Sequence, residues 1–159
     1  MSKFKINHQS QNSAARIGTL NTDHGNIETP FFMPIATYGA VKTQSSNEIE
    51  KLPSNILLSN TYHLYIRPGT EILKAAGGLH KFMNWNKIIL TDSGGYQVYS
   101  LKGLRKIEDD GVTFQSHLDG SKHHFSPESV VDIQRIIGSD IMMMLDVCPS
   151  GAGQINEWD

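Results

Sequence analysis

The sequence predicts a parallel α/β fold of the (β/α)8 barrel type, because three features of the chain agree. Apolar runs of strand length alternate about four times with helix-like segments, and such alternation calls for a parallel sheet covered by helices. The last run, "DIMMMLDVC", has few polar residues, as expected of a strand buried on both faces. Polar residues follow three of the runs at the carboxyl end, where barrels place their chemistry: Asn60, Asp92 and Asp146.

A β-hairpin is predicted at the start of the chain, in residues 1–30. Its turn, residues 23–26, reads "DHGN", a composition that favours the positive φ angles of tight turns. The first parallel strand is expected over residues 32–37. It is followed by a short helix in "SSNEIEKL", for which Ser45 or Ser46 is the predicted N-cap.

Two further strand and helix units follow. The run "NILLSNT", residues 55–61, precedes a helix in "RPGTEILKAAGG", with Thr70 as the predicted N-cap and Gly77 as the left-handed terminating residue. The run "KIILTDSGG", residues 87–95, repeats the pattern of an apolar strand that ends in polar residues and glycine. We therefore predict that both runs are strands of the parallel sheet.

An insertion and the clearest helix complete the pattern. The stretch "GVTFQSHLDGSKHHFS" alternates apolar and polar residues around Asp119 and Gly120, which predicts a second β-hairpin. In "SPESVVDIQRIIG", Ser126 is the predicted N-cap, Pro127 the first helical residue and Gly138 the terminator. The apolar residues of this segment share one helical face, which indicates a helix that packs on a core.

The length of the chain indicates only part of a barrel. Four strand and helix units make about half of a (β/α)8 barrel, which typically needs ~250 residues, whereas this chain has 159. We predict a single partial domain in which residues 31–148 form the repeated units and residues 149–159 form a truncated tail. A flavodoxin-like open sheet is the alternative. A half-barrel exposes two strand edges and an apolar sheet face, so we expect the isolated chain to self-associate.

Composition and charge narrow the class of protein. The chain has 14 Lys and Arg residues against 16 Asp and Glu residues, a net charge of −2, so it lacks the basic excess usual in nucleic-acid binders. Its single cysteine, Cys148, cannot form an internal disulfide. No charged and then apolar leader opens the chain, and no apolar run approaches the ~20 residues that cross a bilayer. We therefore expect a cytoplasmic protein with no membrane partner.

The stretch "LTDSGGYQVYSL" places one carboxylate where an apolar strand gives way to two glycines. Burial at a strand end raises the pKa of Asp92 and suits it to proton transfer near neutral pH. Gly94 and Gly95 lack side chains, so a flat ligand can approach the backbone. Tyr96 offers a ring face for stacking a base. These residues predict a nucleobase pocket. In the alternative they are purely structural: Asp92 caps the turn, Gly94 and Gly95 form the bend, and Tyr96 packs in the core.

Four stretches together resemble the tRNA-guanine transglycosylase family, also called the queuine tRNA-ribosyltransferase family. They are "TPFFMPIAT", "LLSNTYHLYIRPG", "LTDSGGYQVYSL" and "SHLDGSKHHFSPESVVDIQRIIGSDIMMMLDVC". They occur in the family's order with similar spacing, and they cover roughly residues 28–148. The resemblance is to the N-terminal half of the family's TIM barrel.

This resemblance implies an exchange of bases on tRNA. Enzymes of the family remove guanine from the wobble position of a GUN anticodon and install a 7-deazaguanine (preQ1 or queuine) in queuosine biosynthesis, through a covalent ribosyl-enzyme intermediate. Such a double displacement needs a nucleophilic carboxylate and a second group that moves protons. The resemblance places the nucleophilic aspartate beyond residue 159, together with a structural zinc bound by three cysteines and one histidine. It also implies a homodimer of the full-length protein.

The family's site residues carry over to matching positions of this chain. Asp92 matches the general acid/base, and Asp146 matches the carboxylate that pairs with the N–H donors of the purine edge. The family usually has Glu where this chain has Val147. The remaining predicted pocket residues are Asn60, Ser93, Gly94, Gly95, Tyr96, Gln97 and Cys148. Asn60 is expected to orient a carboxylate, and Cys148 to line the pocket without acting as a nucleophile.

Three other groups suggest chemistry but have simpler explanations. His123 and His124 resemble metal ligands, but adjacent strand side chains point to opposite faces, so we predict a solvated hairpin edge. The methionines of residues 142–144 are predicted to belong to the core, and no metal site is predicted in this chain. The basic residues between 102 and 106 either contact phosphates or form an exposed loop.

Two other functions fit the same residues. The chain could be a truncated, non-catalytic subunit that binds tRNA or its base but performs no exchange. It could also be a barrel enzyme that acts on a small glycoside with Asp92 and Asp146. A covalent adduct with tRNA distinguishes the transglycosylase from the binding subunit, and turnover of free nucleosides identifies the glycoside enzyme.

Overall fold

A computed structural model describes residues 3–101 and 103–146 of the chain. Within these residues, nine strands form three sheets of three strands each, accompanied by six short helices. Two of the sheets are antiparallel, and the third is the predicted parallel sheet. Cys148 and the predicted tail lie outside the described residues.

The first antiparallel sheet contains β1 (Phe4–Gln9), β2 (Arg16–Thr22) and β3 (Gly25–Thr29) in that order. Thr22 pairs with Gly25, so two residues close the turn between β2 and β3, and the predicted N-terminal hairpin is confirmed. Strand β1 was not predicted. All of its residues except the first are exposed, so it lacks the alternation that would reveal a half-buried strand.

The parallel sheet contains β4 (Ile56–Ser59), β5 (Ile88–Thr91) and β9 (Ile141–Met142). Ile35 forms a parallel bridge with Leu58 on the other edge of β4, so the first predicted strand contributes one bridge. The parallel segments therefore lie side by side in chain order. A flavodoxin-like sheet places its second strand outside its first, so that alternative is wrong. Within the described residues the sheet does not close into a barrel.

The second antiparallel sheet contains β6 (Arg105–Glu108), β7 (Gly111–Gln115) and β8 (Lys122–Phe125). Its β7–β8 pair confirms the second predicted hairpin. Strand β6 was not predicted. Of the two alternatives left open for the basic residues, the exposed loop does not hold for Arg105 and Lys106, and Lys102 lies outside the described residues. Arg105 and Lys106 belong to a paired strand, since Lys106 pairs with Thr113 of β7.

The six helices are short, and none of those described is long and apolar enough to cross a membrane. In chain order they are α1 (Ser46–Glu50), α2 (Thr61–Ile66), α3 (Thr70–Ala76), α4 (Leu79–Met83), α5 (Gly95–Ser100) and α6 (Pro127–Ile137). Helix α6 begins and ends as predicted, capped by Ser126 and terminated by Gly138 at φ 76°. Ser45 caps α1, and Gly77 terminates α3 at φ 81°. The predicted Thr70 cap is wrong, because Gly69 is the N-cap of α3 and Thr70 is already helical.

The two faces of the parallel sheet bury different neighbours, as the two-residue period of a strand requires. Leu57 and Ile89 face the helices and share a core with residues of α2, α3, α4 and α6. Ile56 and Ile88 face the other way and pack against Ile27 of β3. The N-terminal sheet thus covers part of one face, while the helices cover the other.

The prediction that residues 142–144 are core is wrong. Met142, Met143 and Met144 are 38%, 49% and 81% exposed. Strand β9 is an edge of the described sheet, and none of the described residues forms a strand beyond it. This apolar run is therefore exposed to solvent on the side where a fully buried strand would pair with a neighbouring strand.

A buried carboxylate joins three segments at the amino-terminal end of the parallel strands. The Asp140 side chain is 0% exposed. Its Oδ1 accepts a hydrogen bond from the His24 backbone N–H at 3.1 Å and lies 2.8 Å from His24 Nδ1. Its Oδ2 accepts one from the Ile89 N–H at 2.9 Å and lies 3.3 Å from His80 Nε2. The β2–β3 turn, α4 and the start of β9 are therefore fixed to one another.

We expect the melting temperature of the chain to fall between pH 7 and pH 5. Burial lowers the pKa of His80, and His24 acts in the same direction. As the pH falls through the ordinary histidine value of ~6.5, the unfolded chain binds a proton that the folded chain resists, so the free energy of unfolding decreases. Burial also lowers the pKa of His63, so His80→Leu should flatten the dependence only in part. Thermal unfolding across this pH range measures it, with His8→Gln on exposed β1 as the control.

A second loss of stability is expected under more acidic conditions. Burial alone would raise the pKa of Asp140, but the hydrogen bonds from Ile89 and His24 outweigh it and the pKa is lowered. A lowered carboxylate pKa stabilises the fold above the unfolded value and loses that contribution as the pH falls through the folded one. Burial raises the pKa of Asp92, which acts in the opposite direction on acidification, so the contribution of Asp140 is measured against Asp140→Asn. The same acid dependence in this variant and in the unsubstituted chain would contradict the second expectation, and a melting temperature that does not fall between pH 7 and pH 5 would contradict the first.

We expect the isolated chain to self-associate through its exposed apolar edges. Met144, which follows edge strand β9, is 81% exposed, and Phe32, near the bridge at the opposite edge, is 77% exposed. Met144→Lys should reduce association, because a charge on an edge opposes pairing with another chain. Sedimentation velocity at several concentrations measures the effect, with Leu104→Lys as the control. A concentration-independent monomer with cooperative unfolding would contradict this expectation.

Candidate active site

The register of β4 and β5 brings Asn60 and Asp92 together. Ser59 pairs with Thr91, so the next residue of each strand lies at the same level of the sheet. The Asn60 Nδ2 donates to Asp92 Oδ2 at 2.6 Å. The expectation that Asn60 orients a carboxylate is therefore supported by a direct contact.

Asp92 receives further hydrogen bonds from the backbone. Its Oδ1 accepts from the Thr61 N–H at 3.0 Å and from the Gly94 N–H at 3.1 Å. The Thr61 hydroxyl donates to the Asp92 carbonyl oxygen at 2.5 Å. Asn60 has a second role, since its Oδ1 accepts from the His63 N–H at 2.9 Å and caps α2. The carboxylate is consequently held at the start of α2 by three donors, while the Thr61 hydroxyl fixes the backbone of Asp92.

The pKa of Asp92 is raised above its ordinary value. Burial is the largest cause, and the negative charge of Asp146 acts in the same direction. The hydrogen bonds from Thr61, Gly94 and Asn60 lower the pKa and offset part of this rise. A carboxyl group whose pKa moves towards neutrality exchanges protons more readily at physiological pH, which is the property of a general acid/base.

The Ser93–Gly95 turn connects Asp92 to Asp146. The buried Ser93 hydroxyl donates to Asp146 Oδ1 and accepts from the Gly95 N–H. Gly94 lies in the left-handed region at φ 78°, which other residues adopt at a cost. At Gly95 an added Cβ would lie 2.5 Å from Asp146 Oδ1. The second glycine is therefore required by the close approach of the carboxylate.

Asp146 lines a cavity of about 150 Å³ together with Gly95. The cavity lies between α5, the β6–β7 turn and Leu145, and its wall includes Arg105, whose guanidinium stacks on the Tyr99 ring at 4.3 Å. A cavity of this size holds a ligand of about one aromatic ring. Asp92 is not among the residues that line it. Both carboxylates contact the Ser93–Gly95 turn, but the cavity opens beside Asp146 and not beside Asp92.

The other predicted pocket residues have separate outcomes. Tyr96, the second residue of α5, is 66% exposed, so its ring face is open and the alternative of a core Tyr is wrong. The Gln97 Oε1 is buried and has no hydrogen-bond partner among the described residues. Cys148 lies outside them. The structure thus gathers Asn60, Asp92, Ser93, Gly94, Gly95 and Asp146 by direct contact and leaves the neighbouring Tyr96 ring open.

Sequence reasoning missed the contribution of α2. Thr61 bonds Asp92 through both its backbone N–H and its hydroxyl. The Tyr62 hydroxyl lies 2.6 Å from His117 Nδ1, so the helix is tied to the β7–β8 connection. Asn is a favoured N-cap residue, and its position at the end of an apolar run could have signalled that a helix starts there.

Among the described residues, one group has the composition of a metal site: His24, His80 and Asp140. The two imidazole rings stack with centroids 3.7 Å apart and an interplanar angle of 17°, so their in-plane lone pairs lie in two separate, nearly parallel planes that do not meet at one ion. The His80 Nε2 also lies 3.0 Å from the Lys87 carbonyl oxygen, which requires a proton on that nitrogen. The geometry favours a hydrogen-bonded cluster.

His123 and His124 occupy neighbouring positions of β8 and do not share a ligand geometry. The His123 Nδ1 lies 3.0 Å from the Tyr65 hydroxyl, and its ring stacks on Phe114. His124 is exposed and contacts the Thr113 hydroxyl. The prediction of a solvated edge holds for His124 alone, because His123 packs against α2.

Comparison with known proteins identifies the family. The family model described as queuine tRNA-ribosyltransferase matches residues 10–157. The chain belongs to the queuine tRNA-ribosyltransferase family. The resemblance seen in the four sequence stretches is thereby confirmed.

Curated relatives in the queuine tRNA-ribosyltransferase family are similar over most of this chain. A queuine tRNA-ribosyltransferase of Thermoanaerobacter pseudethanolicus is 56% identical over 92% of this chain and 39% of its own length. That of Dictyoglomus turgidum is 57% identical over 91% of this chain and 37% of its own length. That of Ruminiclostridium cellulolyticum is 58% identical over 86% of this chain and 36% of its own length. The chain thus spans less than two-fifths of the length of these relatives.

We expect two substitutions to move the pKa of Asp92 in opposite directions. Asn60→Ser keeps an N-cap on α2 but is too short to bond the carboxylate, so the pKa should rise further. Asp146→Asn removes a negative charge and should lower it. Titration of the Asp92 carboxyl carbon by NMR measures both shifts, with Glu48→Gln in α1 as the control. Shifts of the same sign would contradict the electrostatics of this site.

Proposed function

We propose that this chain carries the proton-transfer and base-recognition part of a tRNA-guanine transglycosylase. The reaction exchanges guanine at the wobble position of a GUN anticodon for a 7-deazaguanine, through a covalent ribosyl-enzyme intermediate. The names of the relatives support the substrate class, since each is a queuine tRNA-ribosyltransferase. The observation that carries the proposal is the half-buried Asp92 with its raised pKa, joined through Ser93 to Asp146.

Asp92 is the proposed general acid/base. A departing guanine must gain a proton and an entering deazaguanine must lose one, so a single group has to work in both directions. The raised pKa brings the two protonation states of Asp92 closer in free energy. The contacts from Asn60 and Thr61 hold the carboxyl group in one orientation while its charge changes.

Asp146 is the proposed recognition group for the base. An ionised carboxylate only accepts hydrogen bonds, and the Watson–Crick edge of guanine presents adjacent N–H donors. The bond from Ser93 fixes one carboxylate oxygen in place, which lowers the entropy lost on binding. The exposed Tyr96 ring offers a stacking surface worth roughly 1–3 kcal/mol per base. Ser93, Gly94, Gly95, Gln97 and Cys148 complete the proposed pocket.

The rest of the proposed enzyme lies outside this chain. We propose that the parallel strands, which follow one another in chain order, are part of a (β/α)8 barrel and that a later strand carries the nucleophilic aspartate. The structural zinc implied by the family takes three cysteines, and this chain has one. The residues present do not fit that group, so no step here depends on it. A cytoplasmic homodimer is the proposed state of the full-length protein.

Completion of the chain with a relative's sequence tests the function. Residues 1–146 are joined to the corresponding remainder of the Thermoanaerobacter pseudethanolicus relative, and exchange of radiolabelled guanine into a GUN tRNA is measured. We expect exchange and a denaturation-resistant tRNA adduct from this chimera, and neither from the isolated chain. Asp92→Asn should lower kcat by about 10²–10⁴-fold, the usual contribution of a general acid/base. Asp146→Asn should chiefly raise the KM for guanine.

Asp132→Asn is the matched control, because this exposed acid of α6 pairs only with Arg135 in the described contacts. It should leave both constants unchanged. A chimera that binds tRNA but forms no adduct and exchanges no guanine would overturn the proposal and favour a binding subunit. Turnover of free nucleosides without tRNA exchange would favour a glycoside enzyme.

A further inference from the structure

One buried amide on α6 contacts the segment that leads to Asp146. Gln134 is 0% exposed. Its Oε1 accepts from the Met143 backbone N–H at 3.1 Å, and its Nε2 donates to the Met143 carbonyl oxygen at 2.9 Å. The side chain therefore pairs with both polar groups of one backbone residue, as a neighbouring strand would.

This pairing occurs where the regular sheet stops. Strand β9 ends at Met142, and the Met143 N–H also lies 3.2 Å from the Thr91 carbonyl oxygen. Beyond this point the chain reaches Asp146, whose Oδ1 accepts from Ser93. The segment from Met143 to Asp146 is consequently attached at both ends, by Gln134 at one and by Ser93 at the other.

The orientation of the amide is fixed by a chain of hydroxyl groups. Because the Met143 N–H can only donate, the atom facing it must be the Gln134 oxygen. The same oxygen accepts from the Thr91 hydroxyl at 2.7 Å. The Thr91 oxygen is then left to accept from the Ser139 hydroxyl at 2.6 Å. A flipped amide would leave buried donors facing one another, so this network holds one arrangement.

We propose that Gln134 is a positioning residue for base recognition, setting the place of Asp146 relative to Ser93 from the opposite face of the sheet. This rests on the proposed function, in which Asp146 pairs with the purine edge. Gln134 touches neither the base nor Asp146 and acts through the backbone of Met143. Loss of its amide removes two hydrogen bonds of Met143 and leaves the one to the Thr91 carbonyl oxygen. The upstream end of the segment is then held less firmly, which weakens binding of the base more than it slows proton transfer at Asp92.

The test uses the chimera described above with Gln134→Met, which keeps the side-chain length but removes every hydrogen bond of the amide. We expect the KM for guanine to rise about tenfold, the scale of one lost hydrogen bond, while kcat changes less than threefold, about half of that free energy. Amide hydrogen exchange of residues 141–146 should accelerate. Ile133→Ala in the same helix removes core packing and is the matched control for lost stability.

The two variants separate a positioning role from a structural one. At equal loss of melting temperature, Ile133→Ala should leave the KM for guanine unchanged. If both variants raise this KM equally, or if Gln134→Met leaves it unchanged, the positioning role is wrong while the transglycosylase function stands. If the unsubstituted chimera exchanges no guanine, the proposed function itself fails, and the inference fails with it.

Discussion

The hydrogen bond between Asn60 and Asp92 is the contact on which the candidate site depends. It exists because β4 and β5 are parallel and in register, so the residues that follow Ser59 and Thr91 are neighbours. A shift of register by one residue would turn the side chains of one strand to the opposite face. The same Asn60 caps α2, so the start of that helix, which supplies the Thr61 N–H, is fixed by the same residue.

Two consecutive polar residues at the end of β5 contact different parts of the fold. Thr91, the last residue of β5, faces the helices and bonds Gln134 of α6, whereas Asp92, the next residue, faces Asn60, which follows β4. Because alternate strand residues point to opposite faces, the core network and the site are linked through one peptide unit. Both networks then extend to the segment after β9, through Met143 on one side and Ser93 on the other. The two carboxylates are thus placed by the same short strand.

The sequence predicted the units with strong local signals and missed those without them. Helix α6 has a cap, an initial proline and a terminal glycine in the right order, and its bounds were predicted correctly. Strands β1 and β6 have few buried residues, so no apolar period marks them. At the site, Asn60 and Asp92 were recognised as strand-end residues. The contacts of Thr61 and Gln134 could not be predicted, because they depend on register and on which helix packs over which strand.

The hydrogen bonds of Asp92 also indicate which step it can perform. Its Oδ1 accepts two backbone bonds and its Oδ2 accepts the Asn60 amide. Both oxygens therefore have donors that stabilise the charged form and hold the carboxyl group in one orientation. Oδ2 keeps a lone pair that these hydrogen bonds do not use, and a proton can bind there. In the proposed double displacement, which assigns the nucleophile to another carboxylate, this arrangement around Asp92 is suited to the proton transfers that accompany each half of the reaction.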